Sequence, residues 1–149
     1  MFAINLKRRI SVPTFEYRKL FRVNIVLKVE YKTLKEPILS GVAFSKNMSS
    51  TGMNIVMSHK LDRNAELELV IYISGAKKPI TAIGTIVWQS QCSYVPKSKK
   101  KYYSSGIRFS QMQPEQAIIT SDFVRDVLKK QSDEEVRKII DSIENQGPS

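Results

Sequence analysis

The chain has 149 residues, 42% of them hydrophobic, which suits one globular domain with a buried core. Its formal net charge of +10 and pI near 9.8 point to an anionic partner such as a nucleotide, nucleic acid, acidic protein or anionic lipid. The single cysteine, Cys92, excludes an intramolecular disulfide, and no apolar run approaches the ~20 residues a membrane span needs, so a soluble cytoplasmic protein is expected.

In chain order, residues 1–15 form an N-terminal extension. Glu16-Tyr17-Arg18-Lys19-Leu20-Phe21-Arg22 follows, setting two guanidinium groups four residues apart around an apolar pair. Beyond Arg22 the sequence alternates, with Val23, Ile25, Leu27, Val29 and Tyr31 on one parity and Asn24, Lys28, Glu30 and Lys32 on the other. Period two over this length predicts a half-buried strand. A polar break at 33–37 leads to a second strand at 38–46. The run Asn47-Met48-Ser49-Ser50-Thr51-Gly52 then reads as a turn, because its short polar side chains satisfy backbone groups locally. Further strands are predicted at 53–57, 65–74, 80–89 and 105–110. Six short strands separated by turn chemistry favour an antiparallel sandwich or a small barrel, and barrel closure removes exposed edges.

Between the last two strands, 91–103 carries Lys97, Lys99, Lys100 and Lys101 and reads as a solvated hairpin tip able to steer an anion. Pro114 opens a helix whose apolar side holds Ile118, Phe123, Val124, Val127 and Leu128. Ser132 with Glu135 three residues later is a capping-box pattern that predicts a second helix, with Val136, Ile139, Ile140 and Ile143 at helical spacing. Five acids lie here against Arg137 and Lys138, so the positive charge belongs to the body of the chain.

Catalytic chemistry is poorly supplied. His59 is the only histidine and Cys92 the only cysteine, and they fall in unrelated contexts, so no metal cluster or cysteine–histidine pair is expected. Neither a nucleophile-elbow pattern nor a phosphate-binding glycine fingerprint is present, and the protein is expected not to be an enzyme.

Binding chemistry is better supplied. A guanidinium offers a rigid fork of donors that matches phosphate oxygens and the O6/N7 edge of guanine, and its flat face stacks on a base. Arg18 and Arg22 supply two such forks. Asn47 and Ser49 add short donors and acceptors at a strand end, and Gly52 permits close approach to the backbone.

An RxxxR segment leading into an alternating strand, one further strand, and then an (Asp/Asn)-x-Ser-x-x-Gly run resembles the PilZ domain family. Gly84-Thr85-Ile86-Val87-Trp88 and Gly106-Ile107-Arg108-Phe109 look like that family's late strands. The resemblance spans Glu16 to the helix at 114–130. It implies a mainly β fold, a six-stranded antiparallel β-barrel with C-terminal α-helices, in which 16–130 forms the barrel with its helix and 131–149 an additional helix and tail. It also implies binding of the bacterial second messenger cyclic diguanylate (c-di-GMP), with Arg18 and Arg22 gripping phosphates and reading guanine, and with Asn47, Ser49 and Gly52 holding a guanine edge and the sugar-phosphate ring. Asn47 stands where aspartate is more usual, keeping an acceptor without the charge. Tyr17 precedes the first arginine where some members carry a further basic residue, and Tyr17 or Trp88 can supply a stacking surface.

The expected function is thus a c-di-GMP receptor or adaptor that passes a conformational change to an unidentified protein effector, with no metal and no cofactor. Two other readings compete: a general single-stranded nucleic-acid-binding β-barrel, and a PilZ-like interaction scaffold that does not bind nucleotide.

Overall fold

A computed structural model of the chain describes residues 22–92 and 100–146. Tyr17, Arg18, Lys97 and Lys99 lie outside them. Among the described residues the elements are β1 (Val23–Asn24), β2 (Lys28–Thr33), β3 (Ser40–Met48), β4 (Gly52–Met57), β5 (Glu66–Tyr72), β6 (Ile80–Cys92), β7 (Tyr102–Gln111) and one helix, α1 (Pro114–Gln146).

Alternation does what the sequence predicts. Val29 and Tyr31 on β2, Leu67, Leu69 and Ile71 on β5, and Ile55 on β4 all point inward and are fully or almost fully buried. Every strand pairing is antiparallel, in the order β1-β3-β2-β5-β6-β7-β4, and β4 also pairs with β3. That last pairing closes the sheet. Because β1 and β2 lie along the same edge of β3, they act as one bent strand, and the architecture is a six-stranded antiparallel barrel with one C-terminal helix.

The bend is where the predicted first strand breaks. Asn24 pairs with Asn47, whereas Lys28 pairs with Phe44, so β1 and β2 together carry one residue more than the stretch of β3 they face. Ser45 absorbs the mismatch: its hydroxyl donates to the Ile25 carbonyl at 2.6 Å and accepts from the Leu27 amide at 2.8 Å. On its other edge β3 shifts register against β4 between Ser45 and Asn47. The strand is therefore kinked as it reaches Asn47. Asn47 and Met48 belong to β3 rather than to a turn, and the turn proper runs over 49–51.

Helix α1 begins at Pro114, as predicted, but does not stop at Lys130. No proline or glycine lies between Pro114 and Gln146, and Ser132 and Glu135 sit inside a continuous helix instead of capping a second one. Val124 is buried among the barrel's core residues, with Phe123, Val127 and Leu128 partly buried beside it. Farther along, Gln131 Nε2 donates to the Asn24 carbonyl at 2.9 Å, and 132–145 are exposed throughout. No helix among the described residues is long and apolar enough to cross a membrane.

Candidate functional site

Four of the seven strands converge on one cavity of about 400 Å3 on the outer face of the barrel. Val23 is drawn into the core, so its neighbours Arg22 and Asn24 face outward at the end of β3. There the Arg22 guanidinium donates from Nη1 to Oδ1 of Asn47. Asn47 is placed by its pairing with Asn24 on one side and Asn54 on the other. Being neutral, it fixes the arginine without cancelling its charge.

The turn after β3 is built around Ser49. Its hydroxyl accepts from the Thr51 amide at 3.2 Å and lies 3.4 Å from the Gly52 carbonyl, to which it donates, while the Ser49 amide donates to the same carbonyl at 2.8 Å. Ser49 is 2% exposed, so it shapes the turn that delivers Thr51 and Gly52 to the cavity wall. Gly52 opens β4 directly against β7. An added Cβ would lie 2.2 Å from the Ile107 carbonyl oxygen, closer than any side chain can come. The glycine is demanded by the packing of two strands, and the same packing keeps the cavity floor open.

Across the cavity lie Trp88 on β6 and Gly106 on β7, register partners of each other. A Cβ at Gly106 would fall 2.2 Å from the indole Nε1 and 2.6 Å from Cε2, so the ring lies over the bare strand. Trp88 remains 46% exposed and offers its outer face to solvent. Asn54 is tied to β7 by the Ser104 hydroxyl, which donates to its Oδ1 at 3.0 Å. Arg108 completes the wall, and none of the described lining residues is acidic.

Of the residues singled out in the sequence, the structure brings Arg22, Asn47 and Gly52 together at this cavity and sets Ser49 beneath it; Arg18 lies outside the described residues. Nothing local in the sequence marks Arg108 and Asn54 as site residues, because Arg108 reaches the cavity through the β4–β7 pairing and Asn54 through its pairing with Asn47 on β3. Trp88, with Tyr17 one of two candidate stacking surfaces in the sequence, has the exposure that use needs. Such a wall can hold a compact anion through its guanidinium groups and a planar group through its indole. Among the described residues there is no group of His, Cys, Asp or Glu that could hold a metal ion.

A family model for the PilZ domain matches residues 16–126. No curated protein matches the chain. Solved structures similar to it include the Bacillus subtilis inhibitor of motility MotI/DgrA, at 17% identity and a TM-score of 0.55, covering 75% of this chain and 50% of that one. The K. pneumonia MrkH–c-di-GMP complex aligns at 12% identity and a TM-score of 0.61, over 76% of this chain and 53% of that one. The PilZ domain with c-di-GMP of YcgR from Escherichia coli aligns at 10% identity and a TM-score of 0.58, over 78% and 95%. The chain thus spans about half the length of MotI and MrkH and nearly all of the isolated YcgR domain.

Proposed function

The chain belongs to the PilZ domain family, and from that premise we propose that it is a non-enzymatic c-di-GMP receptor that acts as an adaptor for a protein effector. The observation that carries this reading is the cavity itself: Arg22 and Arg108 line it, no described lining residue is acidic, and a half-exposed indole forms part of the wall. A cyclic dinucleotide with two phosphates and two guanines presents the complementary groups. Two of the similar structures, MrkH and the YcgR domain, are themselves c-di-GMP complexes.

In this reading Arg18 and Arg22 grip phosphates and guanine edges. Asn47 orients Arg22 and offers its amide to a base, Ser49 and Gly52 hold the turn against the ligand, and Trp88 stacks. On the same reading the Arg18–Arg22 segment, which carries like charges and leads into a two-residue strand, takes up the dianionic ligand and passes the change to an effector.

Isothermal titration with c-di-GMP tests this. Micromolar or tighter binding is expected, worth about −8 kcal/mol. Arg18→Ala and Arg22→Ala should each weaken it roughly 10- to 100-fold, the range for losing a hydrogen bond to a charged group. No heat at high ligand concentration rejects the receptor reading. Oligonucleotide binding with a steep salt slope and no dependence on Asn47 would favour the nucleic-acid alternative instead.

A further inference from the structure

Arg108 stands outside both the RxxxR segment and the NxSxxG run, yet it lines the cavity with Arg22. Strand register puts it there. Its partners are Gly52 on β4 and Thr85 on β6, and Gly52 has no side chain to stand between the guanidinium and the cavity. The side chain is exposed, and among the described residues no carboxylate pairs with it.

Gly106 lies two residues earlier on the same face of β7, under the Trp88 indole. Residues two apart on a strand are separated by roughly 6.5–7 Å. A purine stacked on the open face of the indole therefore presents an edge within the reach of a side chain as long as arginine. The guanidinium can then lie beside the base, near its plane, where paired acceptors are read.

Resting on the reading of this cavity as a cyclic-dinucleotide site, we propose that Arg108 is a specificity-determining residue whose forked donors take the O6 and N7 acceptors of a guanine stacked on Trp88. Guanine offers two acceptors on that edge, whereas adenine sets an amino donor beside N7, so the same fork is satisfied by one base and half-opposed by the other. The phosphates, and the guanine edges away from N7, are left to Arg18 and Arg22.

The test is calorimetric titration of the full chain with c-di-GMP and with its 7-deazaguanine analogue, which lacks the N7 acceptor. Wild-type protein should bind the analogue roughly 10-fold more weakly. Arg108→Ala should lose roughly 10-fold for c-di-GMP and no longer distinguish the two ligands. Arg108→Met, which keeps a long side chain without donors, should behave the same way. The assignment is overturned if either variant binds c-di-GMP as wild type does, or if wild type binds both ligands equally. It is also overturned if the variants lose affinity while keeping the wild-type difference between ligands, which would make Arg108 a phosphate contact only. A wild-type protein that gives no heat with c-di-GMP overturns the receptor reading itself, a failure distinct from these.

Discussion

Gly52 and Gly106 are held to glycine by different neighbours, and the difference decides what a methyl group does at each. At Gly52 the obstacle is the Ile107 carbonyl oxygen, which cannot move without shifting β7. Gly52→Ala should therefore cost stability, about 1–3 kcal/mol in urea unfolding, as overpacking against fixed backbone does. At Gly106 the obstacle is the Trp88 side chain, which can swing away. Gly106→Ala should leave the barrel folded and lift the indole off the strand. Trp88 is the only tryptophan, so a shift of its emission to longer wavelength reads the change directly. An unshifted spectrum would mean that the ring does not rest on Gly106. The sequence shows both glycines, but the atoms that require them come from strands more than 15 residues away and appear only once the register is known.

At the level of elements, the inward parity of Val23, Leu27, Val29 and Tyr31 was legible, and so were six of the strands to within a few residues. The break between β1 and β2 was not. Val23 and Leu27 on either side of it are both buried, so the bend leaves the alternation undisturbed and shows only in the register against β3 and in the Ser45 hydroxyl bridging Ile25 and Leu27. The second helix failed for the opposite reason. Ser132 and Glu135 make a recognisable cap pattern, but a helix already running through Gln131 has no free end there to cap. Since 132–145 are exposed and the described contacts to the barrel reach only as far as Gln131, ending the chain after Gln131 should change the thermal midpoint by less than about 4 °C, under about 1 kcal/mol. A larger drop would show that Val136, Ile139, Ile140 and Ile143 contribute to the stability of the folded chain.

Taken whole, the molecule keeps its cationic cavity apart from the buried Tyr31 hydroxyl. The cationic cavity occupies the outer face near β1, whereas Tyr31 points inward and meets His59 Nδ1 at 2.6 Å from its hydroxyl. Burial pushes the Tyr31 phenol above its ordinary value. The folded state thus holds this proton more tightly than the unfolded one, so the contribution to stability is full below about pH 10 and falls as pH rises through the folded value. Alkaline unfolding should show this decline, and Tyr31→Phe should flatten part of it while lowering the neutral-pH stability by about 1 kcal/mol for the lost hydrogen bond. An unchanged slope in the variant would assign the alkaline loss to other groups.

The contact between Gln131 and the Asn24 carbonyl joins the helix to the short strand that carries Arg22. Measured along the axis, Gln131 lies about 10 Å from Val124, where the helix is seated in the core, and Gln146 about 33 Å from it. Any tilt of the helix about Val124 that displaced Gln131 by about 1 Å would carry its far end through roughly 3 Å, a ratio set by helix length alone.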